Sequence, residues 1–184
     1  MTTEKLDHLE QLLAGRLPEV TRQRLADALI LHLTPENLVA TMRLLRDDPD
    51  LDFKQLIDLC GVHYPQRAKP LELVYQLLSV HKNHRLRVKM ALDEQTPVPS
   101  LTDLWWCIDW YERETYEMFG VLFSGHPDLR RLLTDYDFEG YPLRKDFPLQ
   151  GLTEVVYDPQ QQRVVRRPVQ MVDASREPYQ ANLS

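Results

Sequence analysis

Apolar residues recur at helical spacing in two stretches near the N-terminus. The first stretch, residues 3–14, carries Leu6, Leu9, Leu12 and Leu13. This spacing of three or four residues predicts a short amphipathic helix. The second stretch follows Thr34 and Pro35, a pair typical of a helix start because threonine caps free N–H groups and proline fits the first turn. We expect this helix to end at the loop of residues 47–50.

Alternation of apolar and polar residues predicts strands elsewhere. A short alternating run covers residues 29–33, and longer runs cover residues 71–77 and 86–92. The polar turn at residues 81–84 separates the two longer runs, which predicts an antiparallel hairpin with one buried and one solvated face. Together with the helices, these strands predict an α+β domain over residues 1–120, with helices packed on a mostly antiparallel sheet.

The last third of the chain lacks these patterns. Ten of the 19 prolines and glycines follow Phe119. We therefore expect residues 121–184 to form an extended, irregular C-terminal strap that wraps partner subunits, with a small hairpin at residues 152–167. A strap folded over its own domain is the alternative.

One further helix is predicted from Ser100 to about residue 119, with Ser100 as its capping residue. Its apolar sector contains Leu101, Leu104, Trp105, Ile108, Thr115 and Phe119. Glu112 falls in the same sector, where a carboxylate must be paired, hydrogen-bonded or protonated because an isolated buried charge is costly. Glu112 therefore either meets an arginine or reaches solvent at the helix end, or it marks a partner-facing or strained site.

The opposite side of this helix carries two tryptophans among charged residues. Trp106 and Trp110 lie four residues apart, beside Arg113, Glu114 and Glu117. Tryptophan and arginine are enriched at the centres of protein interfaces. Three alternatives follow: a second protein covers the tryptophans, the C-terminal strap covers them, or they face solvent.

Composition restricts the class of protein. The 184 residues are 43% hydrophobic and 27% charged, which is typical of a globular domain with its own core. Residues 101–150 carry 10 acidic and 5 basic side chains and so contribute −5 of the net charge of −6, which argues against nucleic-acid binding. Two cysteines, no recognisable leader and no apolar run of about 18 residues indicate a reducing compartment, with membrane contact only through partners.

Candidate catalytic residues are few. Glu114 and Glu117 lie three residues apart, as acid–base pairs sometimes do, and with His126 they would suit a hydrolase or lyase. Arg113 is placed to pair with Glu117 one helical turn later, which favours an ion-pair network instead. Cys60 and Cys107 cannot supply the four thiolates of a typical iron–sulfur cluster.

An ordered series of residues beyond Trp110 carries a family resemblance. It comprises Glu112, Arg113, Glu114, Glu117, Met118, Phe119, His126, Arg130, Leu132 and Leu133. The series resembles the signature of the thirty-kilodalton subunit family of respiratory complex I, which provides the C subunit of bacterial NADH–quinone oxidoreductases. The likeness continues through residues 134–148 and covers about residues 105–170.

The resemblance implies a place in a large assembly. Such subunits are hydrophilic parts of the peripheral arm of a proton-translocating NADH:quinone oxidoreductase, on the cytoplasmic side of the bacterial inner membrane. They lie beside the hydrogenase-like large subunit and the iron–sulfur subunits. They bind no cofactor or metal and carry no catalytic residue, since FMN and the iron–sulfur clusters belong to partner subunits. A separate polypeptide is expected here, although some bacteria fuse this subunit to its hydrogenase-like neighbour.

The signature, the tryptophan-bearing side of the helix and the strap supply the candidates for contact with partner subunits. The candidates are Glu112, Arg113, Glu114, Glu117, His126 and Arg130, together with Trp106, Trp110 and Arg144. The equivalent subunit of a membrane-bound hydrogenase, or of another quinone-linked dehydrogenase, is the alternative assembly.

Overall fold

Three helices and nine strands follow one another along residues 3–169, which are the residues that the computed structural model describes. In chain order they are α1 (Thr3–Arg16), β1 (Thr21–Arg24), β2 (Leu29–His32), α2 (Pro35–Asp47), β3 (Gln55–His63), β4 (Leu71–Ser79), β5 (His84–Leu92), β6 (Val98–Pro99), α3 (Ile108–Phe119), β7 (Phe123–Ser124), β8 (Thr153–Asp158) and β9 (Arg163–Pro168). This is the α+β class predicted from the sequence. The end of the predicted strap, residues 170–184, lies outside the described residues.

A five-stranded sheet forms the framework, in the order β1-β2-β5-β4-β3. Three of its four strand pairs are antiparallel, and only β2 and β5 run parallel. The predicted hairpin is present as β4 and β5, in which Leu71 faces Leu92 and Ser79 faces His84. The mostly antiparallel sheet is therefore confirmed.

The two edge strands of this sheet, β1 and β3, were not predicted. The four residues of β1 are all polar, and none of them is buried. In β3 the register shifts between Leu56 and Asp58, which breaks the two-residue alternation that would indicate a strand. Both strands form because a neighbouring strand offers backbone partners, which a side-chain pattern does not reveal.

The helices bury the apolar stripes that their spacing predicts. Leu6, Leu9 and Leu13 of α1 are fully buried, and so are Leu38, Met42 and Leu45 of α2. They join the buried residues of the sheet in one core cluster. Residues with three- and four-residue spacing share one helical face, so a single contact surface covers all of them.

The third helix begins later than predicted. It starts at Ile108, and residues 101–107 form turns rather than helix. Ser100 does not cap it, because the Ser100 hydroxyl and the Leu101 N–H both bind the side chain of Glu112. These bonds fold the chain back against α3 instead of extending the helix. Gly120 ends the helix in the left-handed conformation, with φ of +79°.

A glycine lets α3 lie close to the sheet. The ring of Phe119 packs over Gly61 of β3 so closely that a Cβ added to Gly61 would lie 2.6 Å from a ring carbon. A methyl group would therefore displace α3 or its terminal side chain. This close approach places the end of α3 against β3, an edge strand of the sheet.

The chain divides into two compact units between Phe147 and Pro148. The first unit thus includes residues 121–147 of the predicted strap. These residues contain the short strand β7, and after it residues 125–147 are irregular. Backbone bonds hold this part to the domain: the Leu143 N–H donates to the Met118 carbonyl at 3.3 Å. For residues 121–147, the strap folds over its own domain. That the strap wraps partner subunits stays a prediction.

The second unit contains the predicted small hairpin. Strands β8 and β9 pair antiparallel, with Val156 opposite Val165, and Glu154 forms an ion pair with Arg167 at 2.6 Å. Tyr157 is 62% exposed and Val164 opposite it is 63% exposed. This hairpin therefore presents an apolar face that the described residues of its own unit leave uncovered.

Candidate functional site

Glu112 is buried at the first turns of α3. Its side chain is completely inaccessible to solvent and accepts hydrogen bonds from the Leu101 N–H at 2.8 Å and the Ser100 hydroxyl at 2.6 Å. Burial raises the pKa of Glu112 to about 7, and the two hydrogen bonds only partly oppose this effect. Of the alternatives that the sequence left open, the structure shows a buried side chain, whose partners are a hydroxyl and a backbone N–H rather than an arginine.

His126 and Tyr75 lie near the Glu112 carboxylate. The Nε2 atom of the buried His126 is 3.8 Å from Glu112 Oε2, 3.0 Å from Asp109 Oδ1 and 3.3 Å from the Asp109 carbonyl. The Asp128 N–H donates to Nδ1 at 3.1 Å, so the neutral ring carries its proton on Nε2 and donates it to the Asp109 carbonyl. The buried Tyr75 hydroxyl finds no hydrogen-bond partner among residues 3–169, and burial and the nearby Glu112 raise its pKa well above the ordinary value.

Arg113 and Glu117 hold the loop that follows α3. Arg113 donates from Nε to the Arg130 carbonyl at 3.2 Å and from Nη2 to the Arg131 carbonyl at 3.3 Å. The Glu117 carboxylate accepts the three N–H groups of residues 132–134 at 2.6–2.8 Å. The predicted Arg113–Glu117 pair is therefore wrong. Each side chain binds the loop instead, because the loop offers backbone carbonyls to the cation and N–H groups to the anion.

The Glu117 site resembles a small anion-binding loop that is filled by a side chain of the same chain. The Thr134 hydroxyl also donates to this carboxylate. Although burial by itself would raise the pKa of Glu117, the bonds from the Thr134 hydroxyl and from the N–H groups of residues 132–134 hold it below the ordinary value. Glu117 therefore remains an anion that fixes the position of residues 132–134.

The two tryptophans stay uncovered by the described residues of this chain. Trp106 is 82% exposed and Trp110 is 53% exposed, whereas the neighbouring Trp105 is 6% exposed. The Arg113 guanidinium carbon lies 5.2 Å from the centre of the Trp110 ring. Glu114 is also exposed. The outer side of α3 is thus divided. Arg113 and Glu117 lie beneath the loop, whereas Trp106 and Trp110 lie at the surface.

The two remaining candidate arginines have different surroundings. Arg130 is exposed and pairs with Asp128 at 2.9 Å. Arg144 is almost buried: its Nε donates to the Phe119 carbonyl at 2.7 Å, and its Nη1 pairs with Glu94 at 2.8 Å. Arg144 thus ties the segment beyond residue 140 to the end of α3. Its contact with a partner subunit stays a prediction, as does that of Arg130.

The arrangement does not assemble a catalytic trio from Glu114, Glu117 and His126. Glu114 faces solvent, while Glu117 and His126 bind backbone groups of different loop residues. Within the part of the chain that the structure describes, no three His, Cys, Asp or Glu side chains are arranged to hold a metal ion. Over the same residues, no helix is long and apolar enough to cross a lipid bilayer.

Similarity to known sequences covers most of the chain, not only the residues of the site. The profile of the family described as respiratory-chain NADH dehydrogenase, 30 Kd subunit, matches residues 31–153, which include the whole of α3 and the loop that it binds. The chain belongs to this family. In this chain, the ordered series from Glu112 to Leu133 thus includes residues that bind the loop, such as Arg113 and Glu117, and the exposed Glu114 of α3.

Individual relatives agree with the family. A protein of Methylobacterium sp. (strain 4-46) is 52% identical over 165 residues, which cover 90% of this chain and 76% of the relative. A protein of Hyphomonas neptunium is 47% identical over 178 residues, covering 96% of this chain and 88% of the relative. A protein of Rhizobium johnstonii is 58% identical over 143 residues, which cover 78% of this chain and 72% of the relative. All three are named as the C subunit of NADH-quinone oxidoreductase.

Several residues of this site have no signal in the sequence. Tyr75 is one of many apolar positions of a strand, and Asp109 and Thr134 are ordinary polar residues. Ser100 carries a signal, but it indicates a helix cap instead of a Glu112 partner. Only the burial of Glu112, a carboxylate in an apolar sector, indicates that polar groups must converge on it.

Proposed function

We propose that this chain is a non-catalytic peripheral-arm subunit of a proton-translocating NADH:quinone oxidoreductase, complex I, in which it supports the hydrogenase-like large subunit. The observation that carries this proposal is the 52% identity, over 90% of the chain, to a protein named as the C subunit of such an enzyme. In that assembly, electrons pass from NADH through FMN and iron–sulfur clusters of partner subunits to a quinone. The chain is attached to the cytoplasmic side of the inner membrane through its partners.

The geometry supports two roles for the signature residues. Arg113, Glu117 and His126 bind groups of their own chain and so position the loop after α3 against the helix. Glu112 holds the segment before α3 in the same way, through Ser100 and Leu101. The exposed residues are the candidates for contact with partner subunits, namely Trp106, Trp110, Glu114 and Arg130. We therefore propose that the buried set builds a rigid platform and the exposed set uses it. Arg144 belongs to the buried set by its contacts.

Affinity purification tests the proposed assembly. The tagged full chain is recovered from detergent-solubilised membranes, with membranes that hold the untagged chain as the control. We expect the hydrogenase-like large subunit, iron–sulfur subunits and an NADH-oxidising flavoprotein to co-purify. Absence of the large subunit would contradict the proposal. Recovery of a hydrogenase without the flavoprotein would favour the alternative assembly.

Enzyme assays test the non-catalytic role. The purified full chain is expected to show no NADH oxidation with a soluble quinone, because such a reaction needs the cofactors of the partners. In the assembled complex, Glu114→Gln should leave the turnover number per assembled complex unchanged. A loss of turnover at normal complex content would indicate that Glu114 takes part in the chemistry.

A further inference from the structure

The exposed tryptophans lie in the first turn of α3 and in the turn that leads into it. Trp110 and Glu114 are four residues apart within the helix, so they share a face. Trp106 lies four residues before Trp110, in the turn that leads into the helix, where the Asp109 N–H donates to its carbonyl at 3.4 Å. A buried tryptophan side chain removes about 150–250 Å² from water, so leaving two of them exposed is unfavourable for an isolated chain. We call Asp103, Trp106, Trp110 and Glu114 the tryptophan patch.

The exposed charges that segment 101–119 itself brings to this patch are acidic. Asp103 and Glu114 are exposed, and the side chain of Asp109 between them is 34% exposed. Arg113 is the only basic residue of segment 101–119, and it is 7% exposed, with its guanidinium bound to two loop carbonyls. The patch therefore combines two indole rings with carboxylates, and no lysine or arginine of this segment projects from it.

We propose that the tryptophan patch binds an arginine- or lysine-bearing segment of a neighbouring subunit. This inference rests on the proposed function, since it names the chemistry of a partner in that assembly. A cation placed over an indole face is attracted by the ring, and carboxylates beside the ring strengthen the attraction. Trp110 already has such a neighbour on one side, the Arg113 guanidinium at 5.2 Å.

Charge complementarity favours a basic partner over two other occupants. A second copy of the chain that met this patch face to face would bring the same carboxylates opposite one another, and like charges in contact are unfavourable. An anionic lipid surface would be repelled in the same way. A basic segment satisfies both the rings and the carboxylates. An arginine or lysine of that segment would also form a direct ion pair with the exposed Glu114.

Photo-cross-linking from position 106 identifies the occupant. The photoreactive residue p-benzoylphenylalanine replaces Trp106 in the full chain, the complex is assembled in cells and irradiated, and the joined peptides are sequenced by mass spectrometry. We expect a cross-link to another subunit, within a segment that contains arginine or lysine. The control places the same residue at Val80, which is 61% exposed in the turn after β4; its cross-links should map elsewhere.

Each other outcome of the cross-linking overturns the inference. These outcomes are a cross-link to a segment without basic residues, to a second copy, or to residues 170–184 of the same chain, and no cross-link in a complex that has assembled. Failure of the proposed function differs from all of them, because the chain would then not be recovered with the large subunit at all.

Charge reversal tests the electrostatic part. Glu114→Lys should weaken retention of the chain in the purified complex by about tenfold and lower the salt concentration that releases it, while Glu114→Gln should weaken retention only a few-fold. Glu19→Lys makes the same change in net charge at an exposed position outside α3 and should have no effect. Equal effects of Glu114→Lys and Glu19→Lys, or none from either, would show that the partner segment is not recognised by charge.

Discussion

Two buried glutamates of α3, five residues apart, have pKa values shifted in opposite directions. Glu112 accepts two hydrogen bonds, which do not replace the water that it loses, so its pKa rises to about 7. Glu117 accepts three backbone N–H groups and a hydroxyl, which more than replace that water, so its pKa falls. The balance between desolvation, the nearby Asp109 and the donors that reach each carboxylate sets the direction of each shift.

The raised pKa of Glu112 predicts that stability falls as pH rises. The unfolded chain has the ordinary glutamate pKa, so the protonated buried form favours folding fully below about pH 4.5, and this contribution is lost as pH rises to about 7. The size of the effect is on the order of 3 kcal/mol between these limits. Glu112→Gln should remove it. Urea unfolding of wild type and variant at pH 5 and pH 8 measures the difference, and a constant difference between the two proteins would contradict the prediction.

Glu117→Gln is predicted to release the loop after α3. The amide places an NH₂ group against N–H donors and removes the charge, so we expect a loss of about 2–3 kcal/mol in the free energy of unfolding. Trypsin should then cut faster after Arg130 and Arg131, whose carbonyls bind Arg113 in the wild type. The exposed Glu114→Gln serves as the matched control. Unchanged cleavage in Glu117→Gln would show that Arg113 alone fixes the loop.

At the level of elements, the position of α3 depends on a close approach to β3. Phe119 at the end of the helix packs on Gly61 of the strand. Two side-chain hydrogen bonds join this region to the backbone at the start of β3. The Trp105 indole donates to the Lys54 carbonyl at 3.0 Å, and the Tyr111 hydroxyl donates to the Ile57 carbonyl at 3.1 Å. The helix thus covers part of a sheet edge that would otherwise stay open.

Gly61→Ala is predicted to destabilise the domain by about 1–3 kcal/mol, because the new methyl group would overlap the ring of Phe119. Adding Phe119→Leu should recover part of this loss by making room. Gly15→Ala is the control: nothing lies within 4 Å of the added Cβ in α1, and alanine favours helix over glycine, so stability should rise slightly. Thermal unfolding of the wild type, Gly61→Ala, Gly61→Ala with Phe119→Leu, and Gly15→Ala measures these differences. An equal loss of stability in the two Gly61→Ala proteins would contradict the steric explanation.

At the level of the whole molecule, the chain consists of a unit that ends at Phe147 and a second unit with the β8–β9 hairpin. The first unit has one continuous apolar core. A two-stranded hairpin by itself is only marginally stable in water, and Tyr157 and Val164 on this one are largely exposed. We therefore expect the first unit to act as a folded platform and the hairpin to be completed by a neighbouring subunit.

A chain that ends at Phe147 is predicted to keep its urea unfolding midpoint but to lose most of its retention in the complex. The stability follows from the core, which lies within residues 1–147. The loss of retention follows from the proposed wrapping of partners by the rest of the strap. Unfolding curves and co-purification with the large subunit measure the two effects. A clearly lower midpoint would mean that the second unit stabilises the first.

Local sequence patterns are enough to define the elements whose side chains repeat within a few residues. The stripes of α1 and α2 and the alternation of β4 and β5 are local, so they predict the α+β class and much of the core. A second local signal is Glu112, because a carboxylate in an apolar sector must be paired, hydrogen-bonded or protonated if it is buried. The ordered signature likewise identified the family.

The hydrogen-bond partners of the α3 glutamates are decided only by the tertiary structure. Whether Glu117 pairs with Arg113 or with residues 132–134 depends on the return of the loop to α3, and the start of α3 depends on bonds between Ser100, Leu101 and Glu112. The edge strands β1 and β3 likewise form through backbone groups of their neighbours. Apart from the pairing of β1 with the adjacent β2, these contacts join positions well separated along the chain. None of them follows from the spacing of apolar side chains. Such long-range contacts cover one half of the outer side of α3 and leave the tryptophan patch exposed.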